Sequence, residues 1–198
     1  MDIPVCAGIL AGGKSSRMGR DKALLPCEQG CFLEKLVSVC GCFPEVLVSA
    51  ARPEDYGFLP VPVVADQLEG FGPVEGIYQL LRAAKSPYVL AVATDMQRLE
   101  AEFLRRLAGC LRGDEDCLAL RMEGRVEPLC SIYGKGALPA LEALRREGCH
   151  RPRAAFERVN TRYVDGETLG CDRRLMSNIN TPEEYDALKQ GAKDCEGM

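Results

Sequence analysis

A single histidine, His150, is the whole imidazole supply of this 198-residue chain, and it sits in the turn-like string Gly-Cys-His-Arg-Pro. A Ser–His–Asp hydrolase would have to use it there, so that class drops out, and a solvated loop histidine is expected. Mixed Cys–His metal ligation has equally little to draw on. No apolar run approaches the ~20 residues that a membrane-spanning helix requires. The N-terminus, MDIPVC, carries an acid, no basic region and no long apolar stretch. No signal peptide is therefore expected, and the cytoplasm is the expected compartment. Positive charge is not in excess either: the formal net charge is −4, which argues against a general nucleic-acid binder.

What is present suits a globular enzyme. With 46% hydrophobic and 27% charged residues, the chain can bury a full core as one domain, expected over 1–190 with a polar tail at 191–198. Its eleven cysteines are scattered and odd in number. Cys27 with Cys31 and Cys40 with Cys42 are the close pairs that a zinc site could use. The other reading treats most of them as small buried hydrophobes of a reduced compartment.

The stretch AGILAGGKSSRMGRDKALLP, from Ala7 to Pro26, organises the rest. Ile9 and Leu10 read as the end of a buried strand. Gly12 and Gly13 then remove two side chains in a row, which lets the backbone turn sharply and approach a ligand. Lys14, Arg17, Arg20 and Lys22 follow, interleaved with Ser15 and Ser16. Bare N–H groups backed by clustered cations suit a nucleoside triphosphate. Gly8, Gly13, Lys14 and Ser15 also satisfy the letters of a P-loop. That reading would place Ile9 and Leu10 inside an exposed loop and Gly19 in a helix.

Along the chain, Ile3 to Leu10, Glu45 to Ala50, Val61 to Ala65 and Ser86 to Asp95 read as strands. Phe32 to Phe43, a segment starting at Pro73, Glu102 to Leu111, Leu138 to Arg146 and Arg151 to Arg158 read as helices. The runs CLALR and LCSIY look like a β pair turning at Glu123-Gly124. Alternation of this kind implies an α/β fold of three layers, with a mostly parallel Rossmann-like sheet and ligands beyond the strands' carboxyl ends. Gly12, Asp66 and Asp95 all fall just past such ends. The glycines of DQLEGFGPVEGI make either a strand-to-helix turn or a ligand loop. Asp95 is either a helix cap or a metal ligand. Thr181 and Glu184 of NINTPEEY form a capping box.

The string LAGGKSSRMGRDKALL closely resembles the signature L-A-G-G-x-S-x-R-M-G-x-D-K of the molybdenum cofactor guanylyltransferases. Weaker patches extend the likeness: Asp66 to Gly76, Thr94 to Gln97 (C-D-M-P in the family), Gly124 to Leu129, and N-I-N-T-P from Asn178. The resemblance implies a nucleotidyltransferase domain with a small β-pair and helix region on the acceptor side. It implies transfer of GMP from GTP to the terminal phosphate of molybdopterin cofactor, with release of pyrophosphate. Leu10, Ala11, Gly12, Gly13, Lys22, Asp66, Gly72 and Asp95 would then contact the nucleotide. Lys22, Arg17 and Asp95 would act in catalysis, with Asp95 holding Mg2+, and Asn178 and Asn180 would face the acceptor. Gly12 leans towards guanine, since the related cytidylyltransferases carry L-A-A-G. GTP and molybdopterin cofactor are the implied partners, with molybdoenzymes or their chaperones beyond them, and neither nucleic acid nor membrane. Gln97 in place of Pro is expected to loosen the turn after Asp95. That change, with Thr94 and with Ala51 where many relatives carry Asn, leaves two alternatives: another transferase of the fold, acting with CTP or on sugar phosphates, or a catalytically weak nucleotide-binding protein.

Overall fold

The computed structural model of the chain describes residues 3–11, 21–27, 30–179, 181 and 184–185. Gly12, Gly13, Arg17 and Asn180 therefore lie outside the described residues. In chain order the elements are β1 (Val5–Leu10), β2 (Pro26–Cys27), β3 (Gly30–Cys31), α1 (Phe32–Cys40), β4 (Glu45–Ala50), β5 (Val63–Ala65), α2 (Pro73–Ala83), β6 (Tyr88–Ala93) and α3 (Ala101–Gly109). They continue with β7 (Cys117–Met122), β8 (Arg125–Val126), β9 (Cys130–Gly134), α4 (Leu138–Arg146), α5 (Arg153–Phe156) and β10 (Thr161–Asp165).

One sheet carries the architecture, in the order β10-β7-β9-β6-β1-β4-β5, with β8 paired to β7. β1 lies parallel between β4 and β6, and β5 adds parallel to β4. β9 runs antiparallel to both β6 and β7, while β10 is parallel to β7. The sheet is thus parallel on the half that ends in Leu10, Ala50, Ala65 and Ala93, and mixed on the other.

Side-chain alternation splits the core into two layers. Val5, Ala7 and Ile9 of β1, with Leu90 and Val92 of β6, pack with α1 and α3. Cys6 and Leu10, with Val89 and Ala91, face α2 and α4. β6, buried from Tyr88 to Val92, holds the central position that its continuous apolar run predicted. Gly8 belongs to the interior of β1, where a Cβ would press on Val89 and Leu80. It packs α2 onto the sheet, so the P-loop reading, which needs Gly8 to open a loop, is excluded.

Several boundaries move for local reasons. β5 starts at Val63 because Pro62 has no N–H to give a ladder. α1 stops at Cys40, where Gly41 and Pro44 interrupt it. The CLALR and LCSIY strands lie in the main sheet, with Glu123 and Gly124 both at positive φ in the turn that leads into β8. The separate two-stranded ribbon is β2 with β3, soon after Lys22. β10 was not foreseen. Among the described residues, no helix is long and apolar enough to cross a membrane.

Candidate functional site at the strand carboxyl ends

The backbone gathers the site before any side chain does. The Ala11 N–H donates to Ser49 O at 2.8 Å and the Asp66 N–H to Ala50 O at 2.9 Å, so the ends of β1, β4 and β5 stay in step. At the β6 end, the Ile179 N–H donates to Asp95 O at 2.9 Å. That bond brings the NIN segment, and exposed Asn178 with it, alongside Asp95. α2 closes the group from above. A Cβ on Gly76 would collide with the Leu10 side chain and lie 2.8 Å from Ser49 Oγ. Glycine there lets the first turn of the helix approach the end of β1. Gly72, at φ 84°, caps that helix, with Pro73 in its first turn.

Asp95 stands two residues beyond β6. Its Oδ2 lies 4.0 Å from Lys22 Nζ, while Oδ1 is buried without a hydrogen-bond partner. Burial pushes its carboxyl pKa up, and Lys22 pulls it only partly back. A capping aspartate would accept an N–H bond with its oxygen. A buried, unsatisfied carboxylate oxygen instead suits a hard cation. Among the described residues there is no cluster of three or more His, Cys, Asp and Glu able to hold a metal. Oxygen donors beyond Asp95 would have to come from substrate and water, which is how Mg2+ is commonly held beside phosphates.

Lys22 opens a 3-10 turn whose cap is Asp21. Asp21 Oδ1 accepts the Ala23 N–H at 3.0 Å, and Oδ2 accepts the Tyr56 hydroxyl at 2.5 Å. Tyr56 is almost fully buried, and the same hydroxyl reaches Ala11 O at 3.5 Å. Lys22 is thus mounted on a side-chain network that starts at the end of β1. Asp66, half-buried, accepts the Ser49 hydroxyl. Burial raises its pKa, the Ser49 bond opposes that, and nearby Glu75 adds to the rise.

Glu75 is the deepest charge in this half of the molecule. Its carboxylate is fully buried in the first turn of α2. It accepts the Gln67 N–H at 2.9 Å, Gln79 Nε2 at 2.7 Å and Arg145 Nε at 2.5 Å. The Arg145 guanidinium also lies 4.1 Å from the centre of the Tyr78 ring. Glu75 therefore ties the loop after Asp66 to α2 and α4. His150 fixes the far side of the same loop, with Nδ1 2.6 Å from Phe71 O and its ring against Phe71. It is exposed yet engaged, more than the solvated role expected of it.

The turn after Asp95 corrects a second expectation. Gln97 does not loosen it, because its amide donates to Thr94 O at 2.6 Å and to Phe32 O at 3.2 Å, while Lys35 Nζ holds Gln97 O at 2.9 Å. Hydrogen bonds replace the rigidity of a proline ring. Leu10, Ala11, Lys22, Asp66, Gly72, Asp95 and Asn178 all lie at the sheet's carboxyl edge. Ser49, Tyr56, Asp21 and Glu75 support them and were not singled out from the sequence. Asp21 alone left a trace there, as the acid of the D-K pair. The Thr181 capping box is present: its N–H donates to Glu184 at 3.0 Å, and the Glu184 N–H donates back to Thr181 Oγ1 at 3.2 Å.

Comparison with known proteins agrees with this fold. Residues 7–162 match the MobA-like NTP transferase domain. A probable molybdenum cofactor guanylyltransferase of Carboxydothermus hydrogenoformans is 36% identical over 183 residues, covering 91% of this chain and 92% of that protein. One from Clostridium perfringens is 35% identical over 192 residues, covering 94% and 96%. The crystal structure of molybdopterin-guanine dinucleotide biosynthesis protein A from Archaeoglobus fulgidus superposes with a TM-score of 0.83 at 22% identity, covering 96% of this chain and 99% of that one.

Proposed function

Since the chain belongs to the MobA-like NTP transferase family, we propose that it is a molybdenum cofactor guanylyltransferase. It moves GMP from GTP onto the terminal phosphate of molybdopterin cofactor. An oxygen of that phosphate bonds to the α-phosphorus, the α–β bridging P–O bond breaks, and pyrophosphate leaves with the electron pair. The product would pass to molybdoenzymes or their chaperones.

Attacking and attacked groups are both anions, so the protein needs charge placement and alignment more than a nucleophile of its own. The observation that carries the reading is Asp95, with one oxygen buried and unsatisfied and the other 4.0 Å from Lys22. Asp95 would hold Mg2+, which supplies Lewis-acid neutralisation of phosphate charge when bound. Lys22 would offset charge developing on the transferred phosphoryl group, from a mount set by Asp21 and Tyr56. Leu10 and Ala11 would begin the nucleotide cradle that Gly12 and Gly13 continue, with Arg17 on the triphosphate. Asp66 and Gly72 would line its nucleoside side, and Asn178 and Asn180 would meet the acceptor.

The test is direct. GTP, Mg2+ and molybdopterin cofactor are incubated with the protein, and guanine dinucleotide and pyrophosphate are measured, with CTP in a parallel arm. Guanine dinucleotide with GTP and little product with CTP is the expected result. Product with CTP alone would overturn the base assignment. GDP as the leaving product would overturn α-phosphorus attack.

A further inference from the structure

Beside the strand-end site lies a cavity of about 450 Å3, within the usual range for small-molecule pockets. It is built from the two segments that already meet at Asp95: the turn from Gln97 to Glu100 and the loop from Gly170 to Leu175. The first follows Asp95 directly. The second runs on to Ile179, whose N–H bonds Asp95 O. Three cations line the cavity, Lys35, Arg98 and Arg174, against two exposed acids, Glu100 and Asp172.

Two of these charges are accounted for. Lys35 is spent on Gln97 O, and Asp172 Oδ1 accepts the Leu175 N–H at 2.8 Å. Arg98 differs. It is half-buried, its Nε is buried with no hydrogen-bond partner, and it forms no ion pair with a carboxylate among the described residues. A guanidinium partly withdrawn from water is costly unless an acceptor or an opposite charge meets it. The other half-buried arginines among the described residues, Arg121, Arg145 and Arg162, each pair with a carboxylate. Among the described residues no carboxylate answers the Arg98 charge, which leaves it for an anion that enters the cavity.

We infer that this cavity binds an anionic group of the acceptor, with Arg98 as the cation that pairs with it. The inference rests on the proposed function for the identity of the acceptor. That acceptor carries oxyanion character at both ends, a phosphate at one and a dithiolate-bound oxo-metal group at the other. Either end presents the acceptor oxygens that a guanidinium fork matches.

The test compares wild type, Arg98→Gln and Arg98→Lys. With the triphosphate site filled by a non-hydrolysable GTP analogue, inorganic phosphate and molybdate are titrated calorimetrically. Binding to wild type, lost in Arg98→Gln and partly kept in Arg98→Lys, is expected. In steady-state assays Arg98→Gln should raise the acceptor KM ~10–100-fold, as removal of one charge-assisted contact does, with the GTP KM within about twofold. The same rise for metal-free and metal-loaded pterin assigns Arg98 to the phosphate end. A rise for loaded cofactor alone assigns it to the oxo-metal end. Wild-type oxyanion binding and acceptor KM in a folded Arg98→Gln would overturn the inference while leaving the transferase reading intact. Arg98-dependent oxyanion binding in a protein that makes no guanine dinucleotide would do the reverse.

Discussion

Replacing Asp95 by asparagine should separate function from stability, because the structure sets the two against each other there. The carboxylate is largely withdrawn from water, and burial outweighs Lys22 in setting its pKa, which stands above the ordinary carboxylate value. Such a group contributes stability that is fully present below the unfolded-state pKa and is lost as pH rises through the folded one. At neutral pH the ionised side chain therefore costs the fold, and Asp95→Asn should raise Tm. The ion pair given up is long, at 4.0 Å, and pairs of this kind are worth at most about 1 kcal/mol. The Tm gain should shrink on acidification and vanish below pH ~4, where aspartic acid and asparagine are both neutral. Turnover should move the other way, falling ~10²–10³-fold with the loss of one charge-stabilising group. Mg2+ with GTP should raise the wild-type Tm, by about 2.7 kcal/mol of added stability at one hundred times Kd, and the variant much less. Melting curves from pH 4 to 8 and pyrophosphate release check all three. A destabilised Asp95→Asn with near-normal turnover would refute the reasoning and return Asp95 to a scaffold role.

Lys22→Ala should lose ~10²–10³ in kcat with melting little changed, and Lys22→Arg should recover little, since a planar fork does not replace a compact ammonium; steady-state pyrophosphate release decides. Glu75→Gln leaves Arg145 without its buried partner and should cost ~3 kcal/mol in denaturant unfolding, the scale of a broken buried pair, while raising the GTP KM as the Gln67 loop loosens. Glu115 is buried, which alone would raise its pKa, but the N–H groups around Arg112 and the Arg162 guanidinium pull it down to about 2. Its contribution, on the order of 3 kcal/mol, is present above the ordinary glutamate pKa and lost as pH falls towards 2. Acid unfolding should therefore flatten in Glu115→Gln, with activity at neutral pH unchanged.

The parallel half of the sheet was legible because each strand there is short, apolar and closed by a turn. The EVLVSA run is β4 from end to end, and LPALEALRR is α4 likewise. Strand β10 was not, since TRYVD lies at the sheet edge with no fully buried residue and no apolar alternation to betray it. Helix α5 shrank to four residues for a related reason: Ala155 and Phe156 are its buried anchors, and Arg151 and Arg158 hold no core.

At the site the division follows contact order more than importance. The residues proposed to act on a ligand sit in strings a reader can see, because each string is local in the sequence: Lys22 in its D-K pair, Asp66 with Gly72, Asp95 with its turn. Residues that hold those in place act across the chain. Tyr56 is 35 residues from Asp21, Ser49 is 17 from Asp66, and Arg145 is 70 from Glu75. Nothing in the neighbourhood of Ser49 or Tyr56 marks them, since each looks like an ordinary member of a strand or a turn. Gln97 makes the same point from the other side. Read locally, the loss of a proline weakens the turn. Read in three dimensions, its amide meets a carbonyl on α1, and the turn that presents Asp95 is pinned to a second element. The substitution therefore supplies no ground for a weakened enzyme, and the geometry around Asp95 favours turnover over mere nucleotide binding.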